Sequence, residues 1–265
     1  MIIVSRNSKI IYCFDTKSLI WEQIFIENLT IFIAMNVISL NEVFFMIFEN
    51  MDRIVFAGDS VTDGGSTNPV GEGLFDGVGR GYVRVIENML AVYYPELKIR
   101  VTNSGISGNT SVTLLERYDR DVVELKPDWG SICIGINDVW RQFDSPAIPD
   151  AAVMPNEYRE NVEKMILAVK DRVKGIFILS PYYMEPSRED MMRKCIDEYV
   201  EICCFLAEKH GCVFVNFQDL YERFLKIRHS SCIAWDRVHP NQMGATLMAR
   251  EFLSKCGFDY SHFSF

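Results

Sequence analysis

The sequence is short of positive charge, of histidine and of patterned cysteine. Twenty-seven Lys and Arg face 36 Asp and Glu in 265 residues, giving a net charge of −9. A surface of that sign repels phosphate backbones, so a nucleic-acid partner is excluded as an expectation. Eight cysteines are present, none in a CxxC pair. With only four histidines, none at zinc-ligand spacing, neither a structural metal site nor a disulfide framework is indicated. Scattered reduced thiols fit a cytoplasmic protein. After residue 50 there is no internal repeat, no low-complexity stretch and no linker.

One long apolar run does occur, "LTIFIAMNVISLNEVFFMIF" over 29–48. A membrane helix needs about 20 apolar residues, and this run is broken by Asn36, Asn41 and Glu42. It begins too late and lacks the cleavage site of a signal peptide. Three readings of residues 1–50 stand: a peripheral helix or hairpin, a membrane anchor, or sequence translated from upstream of the natural start. Met46 and Met51 lie just ahead of the first strand-like segment, which favours the third. The domain proper is expected over 51–265, without stable membrane association.

Beyond residue 50 the chain alternates between two kinds of segment. Strand-like runs are "RIVFAG" (53–58), "LKIRVTN" (97–103), "WGSICIG" (129–135), "VKGIFILS" (173–180) and "CVFVNF" (212–217). Helical spacing of apolar residues marks 81–94, 111–125, 156–173, 187–211, 218–228 and 241–257. Asn156 and Ser187 are the expected N-caps, and Gly211 and Gly257 the expected stops. Strands alternating with helices require parallel pairing with right-handed crossovers. The expected architecture is a three-layer, flavodoxin-like α/β/α domain on a five-stranded parallel sheet. In such sheets ligands bind beyond the carboxyl ends of the strands.

Four polar clusters fall there: Ser60 in "GDSVTDGG", Gly105 and Gly108 in "NSGISGNT", Asn137 and Asp138 in "GINDVW", and Asp236 and His239 in "AWDRVHP". Each alone reads as a turn, a cap or a loop ion pair; together and in this order they read as chemistry. A serine hydroxyl needs a base to become a nucleophile. His239 has an acid three residues earlier, Asp236, that can reach its Nδ1–H. His210, His229 and His262 are expected to face solvent. The oxyanion of an acyl transfer needs hydrogen donors. The candidates are the backbone N–H groups of Ser60 and Gly108 and the side chain of Asn137. Asp59 is given an orienting role in the loop.

These four blocks resemble the SGNH/GDSL hydrolase superfamily. Further stretches, "GEGLFDGVGRGYV", "PELKIRVTNSGISGNT" and "KPDWGSICIGINDVWRQFD", resemble the intracellular bacterial acetyl-xylooligosaccharide esterases. The resemblance runs from about Arg53 to the C-terminus. It implies a serine esterase with Ser60, Asp236 and His239 as triad, no metal or other cofactor, an acetylated saccharide substrate and a homo-oligomer. It also implies a chain that starts just before the first strand, leaving residues 1 to about 45 as extra. Trp140, Arg141, Tyr182 and Trp235, with Arg80 and Tyr82 nearby, are the expected sugar-facing side chains, since aromatic planes stack on sugar rings. Two alternatives remain: a lysophospholipase or thioesterase on the same scaffold, and a non-enzymatic flavodoxin-like module that cradles an anion in the "GDSVTDGG" loop.

Overall fold

In the computed structural model, residues 45–73, 75–144 and 152–262 are described. The chain divides into two compact units, Met1–Phe44 and Phe45–Phe265. The expectation for residues 1–44 lies outside the described residues. The second unit starts at Phe45 rather than at Met51. Phe48 is buried, with its ring 5.4 Å from that of Trp129 and 6.2 Å from that of Phe177. The Ile47 amide donates to Cys256 O at 3.0 Å.

The centre of the sheet is β1 (Arg53–Gly58), whose Ile54, Val55, Phe56 and Ala57 are wholly buried. It pairs in parallel on one side with β3 (Arg100–Gly105) and on the other with β4 (Trp129–Cys133). Beyond β4 come β5 (Gly175–Leu179) and β6 (Val213–Val215), also parallel. Five parallel strands match the expectation. A sixth, β2 (Gly71–Glu72), joins antiparallel to the outer edge of β3, for an order β2-β3-β1-β4-β5-β6. Two residues are too few to show alternation, so the sequence carries no sign of it.

Helix placement follows from that order. The step from β1 to β3 runs one way across the sheet, and those from β3 to β4, β5 and β6 run the other. Right-handed crossovers in opposite directions put their helices on opposite faces. Accordingly α2 (Tyr82–Tyr93) packs with α8 (Gln242–Ser254), and α8 with α7 (Phe217–Leu225). In the other layer α3 (Ser111–Asp121) packs on α5 (Pro155–Val169), and α5 on α6 (Met191–His210). The reversal at β1 opens a crevice at the carboxyl ends of β3, β1 and β4.

Two further helices stand at that crevice: the single turn α1 (Ser60–Asp63) after β1, and α4 (Ile136–Asp144) after β4. Helix starts differ slightly from expectation. Pro155, not Asn156, opens α5, because proline fits the first helical position. Asp190, not Ser187, caps α6 by accepting the Arg193 amide at 2.9 Å. Gly211 does end α6, in the left-handed region at φ 69°. No helix among the described residues is long and apolar enough to cross a membrane. The seven described cysteines are free, and Cys133, Cys203 and Cys256 are buried.

Candidate active site

The turn from β1 into α1 explains "GDS". A Cβ on Gly58 would stand 2.4 Å from the carbonyl oxygen of Cys133 and 2.3 Å from Thr62 Oγ1, so only glycine fits. Asp59 caps α1: its Oδ1 accepts the Val61 amide at 2.9 Å, and its carbonyl accepts Thr62 and Asp63. Ser60 is therefore the first helical residue. Its amide finds no acceptor among the described residues, as the first N–H groups of a helix have no intrahelical partner.

Ser60 Oγ lies 2.8 Å from His239 Nε2. His239 Nδ1 lies 2.5 Å from Asp236 Oδ2. The other carboxylate oxygen of Asp236 accepts the amides of His239 and Val238, at 2.8 and 3.0 Å. Burial works against the charge on Asp236. The His239 ring and these two amides outweigh it and hold the carboxyl below its usual range. A carboxylate kept ionised fixes the imidazole tautomer with Nε2 free to accept the serine proton.

Gly108 adopts φ 83°, a left-handed turn that a side chain strains. It lies in the loop between β3 and α3, and its amide too is without an acceptor among the described residues. Two clamps hold this loop beside Ser60. Asp63 Oδ2 accepts the Ser107 hydroxyl at 2.6 Å, tying the loop to α1. Behind it the buried guanidinium of Arg117 donates to Gly58 O (3.1 Å), Ser104 O (2.8 Å) and Asn109 Oδ1 (2.7 Å).

Asn137 stands in the first turn of α4. Its Nδ2 donates to Asn109 O at 2.9 Å, and its Oδ1 accepts Arg141 at 3.1 Å. Asp138 beside it accepts the Ser111 amide with both oxygens at 3.0 Å, pinning α4 to the start of α3. Burial raises the Asp138 carboxyl to about 6, against the Ser111 bonds that lower it.

The residues expected to face sugar divide. Trp140 does stand at the site, its ring centroid 6.0 Å from that of His239. Trp235 is 87% exposed, next to Asp236 in sequence. Arg141 faces Asn137 and Asp144 rather than open solvent. Tyr182 does not face the open surface of the site. It is buried, and its hydroxyl donates to Val238 O at 2.9 Å, supporting the His239 loop from below. Burial likewise removes Tyr82, which bonds Thr62 Oγ1 at 3.0 Å. Arg80 pairs with Asp76 at 2.7 Å. Of the other histidines, His210 does not face solvent. It is largely buried, with Nε2 2.7 Å from Glu163. Sequence reasoning missed Arg117, Asp138 as a clamp, and the positioning contact of Arg141. Arg117 and Asp138 bind main-chain groups and atoms distant in the chain, while Arg141 acts locally, on the Asn137 side chain one helical turn away.

The chain as a whole is similar to known proteins. The model of the GDSL-like lipase/acylhydrolase family matches residues 56–247. The chain belongs to this family. It is accordingly a carboxylic ester hydrolase, which leaves the anion-cradling module unfavoured. It is 43% identical over 209 residues to an acetylxylan esterase of Geobacillus stearothermophilus, covering 79% of this chain and 95% of that one. The crystal structure of the acetylxylan esterase Axe2 of the same organism aligns with a TM-score of 0.79 at 42% identity. That alignment covers 81% of this chain and 98% of the other. LAE5, an α/β hydrolase from the metagenome of Lake Arreo, aligns with a TM-score of 0.78 at 42% identity, covering 80% and 98%.

Proposed function

We propose that the protein removes acetyl groups from short acetylated xylo-oligosaccharides through an acetyl-serine intermediate. The observation that carries this reading is the continuous Ser60–His239–Asp236 relay, at 2.8 and 2.5 Å. Ser60 Oγ attacks the acetyl carbonyl carbon while His239 Nε2 takes its proton. The amides of Ser60 and Gly108 and the Asn137 Nδ2 receive the oxyanion. Nδ2 has two hydrogens, so one remains after Asn109 O takes the other. The C–O bond to the sugar breaks, and the sugar oxygen leaves with the proton from His239. Water then attacks the acetyl-serine by the same route, releasing acetate and restoring Ser60.

The substrate class rests on the similarity to the Geobacillus acetylxylan esterase and on aromatic side chains at the site's mouth. Trp140 and Trp235 are assigned as the sugar-facing pair. By the same resemblance the protein works in the cytoplasm, as a homo-oligomer, without a metal.

The test is acid release from acetylated xylo-oligosaccharides, other acetylated sugars and a long-chain lipid ester, by wild type and by Ser60→Ala. The saccharide esters should be preferred, and Ser60→Ala should lose turnover while keeping its circular dichroism spectrum and its midpoint of unfolding. Preference for the long acyl chain would overturn the substrate class. Near-normal turnover by Ser60→Ala would overturn the mechanism.

A further inference from the structure

Beside the relay, the surface opens into a cleft of about 370 Å³ between α4 and the start of α6. Its walls include Trp140 and Phe143 from α4, Tyr183 from the β5–α6 connection and Met191 from the first turn of α6. Asp144 and Asp190 stand at its rim. Phe143 is 41% exposed and Met191 64% exposed. The core does not need them, yet they face one hollow together with two further aromatic rings. Grouped exposed apolar side chains of this kind mark a ligand surface rather than a packing remnant.

Two contacts tie the walls of the cleft to the chemistry. Trp140 forms its near wall and stands 6.0 Å, ring to ring, from His239. Its far wall is anchored to the histidine loop. Gln218 holds the Tyr183 backbone from both sides, accepting its amide at 2.8 Å and donating to its carbonyl at 3.3 Å. The next residue, Met184, donates its amide to Arg237 O at 2.9 Å. Arg237, between Asp236 and His239 in the chain, reaches Glu185 Oε2 at 2.5 Å.

Proton bookkeeping says which part of an ester belongs here. His239 hands its proton to the leaving alcohol, so the alcohol lies on the imidazole side of Ser60. The acyl carbonyl points the other way, toward Gly108 and Asn137. The wall of the cleft nearest the chemistry, Trp140, lies against the imidazole, 6.0 Å ring to ring. Aromatic faces suit the apolar faces of a pyranose ring, and the rim carboxylates can accept its hydroxyl protons. A fatty chain gains nothing from that acidic rim.

We infer that this cleft binds the uncharged pyranose units next to the acetylated one in the leaving saccharide, and so sets a preference for oligosaccharide over monosaccharide esters. The inference rests on the acetyl-saccharide reading above and adds a place and a chain-length dependence to it.

The test compares kcat/KM for acetylated xylotriose and acetylated xylose. The ratio of the two cancels any change in the chemical step itself. Wild type should favour the trisaccharide. Phe143→Ala and Met191→Arg should each shrink that ratio by about 5-fold or more. Because Met191 is so exposed, Met191→Arg tests the cleft even if Phe143→Ala fails to fold. As a second readout, unacetylated xylotriose should inhibit hydrolysis of a small aryl acetate by wild type, and do so more weakly with Met191→Arg. An unchanged ratio and unchanged inhibition would overturn the cleft while leaving the esterase reading intact. Turnover of the aryl acetate with neither saccharide ester accepted would overturn both.

Discussion

The Arg141 guanidinium donates to Asn137 Oδ1 at 3.1 Å from one turn further along the same helix. The two ends of an asparagine amide are almost the same shape, so something must decide which end faces where. Here a cation takes the oxygen and leaves Nδ2 as the end available to an oxyanion. Arg141 itself is held by Asp144 and lies 5.8 Å from the Trp140 ring centroid.

Arg141 is thus a positioning residue. Arg141→Ala should lower kcat on an acetate ester about 10- to 100-fold with little change in KM. Asn137→Ala, which removes the donor itself, should cost more, about 10²- to 10³-fold. Arg141→Lys should recover part of the loss. Steady-state kinetics of the three variants check the order, and wild-type kcat in Arg141→Ala would refute it.

Asp59 makes stability depend on pH. Burial raises its carboxyl to about 7; the Val61 amide opposes this, and the nearby Asp138 charge adds to it. In the unfolded chain the same group titrates as an ordinary aspartate. Between those values the folded state holds a proton that the unfolded state has released. Its contribution therefore favours folding at low pH and is lost as pH rises through about 7. Asp138, raised to about 6, acts in the same direction. Asp59→Asn keeps an oxygen for the Val61 amide and carries no charge. Relative to wild type it should gain roughly 1–4 kcal/mol between pH 5 and pH 8. Urea unfolding at the two pH values measures this, and an equal difference at both would contradict it.

Arg117 is the third test. Its guanidinium is buried, which lowers its affinity for a proton, while Asp121 at 3.3 Å works the other way. Arg117→Leu removes a donor from the carbonyls of Gly58 and Ser104 and a cation from beside the buried Asp121, and should destabilise the protein by about 3–5 kcal/mol. Lysine cannot span the same acceptors, so Arg117→Lys should recover little. Denaturant unfolding reads both, and a loss below about 1 kcal/mol in Arg117→Leu would show that the clamp does not bind the two strand ends together.

The sequence makes some of this legible and hides the rest for physical reasons. Residues 53–58 show as a strand because both faces are buried, which demands an unbroken apolar run. Asp236 and His239 show as a pair because their contact is local. Helix α4 was readable only as the polar cluster around Asn137. It has nine residues, shorter than the window in which helical spacing is counted, although Ile136, Val139, Trp140 and Phe143 do keep that spacing. Tyr182 and Trp235 look alike as loop aromatics; one is 2% exposed and the other 87%. Only the tertiary fold separates them. Arg117 showed in the sequence only as an i,i+4 partner of Asp121, since its clamp on the carbonyls of Gly58 and Ser104 is to main-chain atoms that no side-chain pattern records.

Asp236 and His239 leave the backbone three residues apart, and one carboxylate grips both the ring and the amides between them. Half of the relay is therefore prefabricated by local chain geometry, and tertiary folding has a single gap left to close, the one to Ser60. Vulnerability is concentrated at that seam. A shift of the loop as a whole disconnects acid and base from the nucleophile together, while leaving them joined to each other.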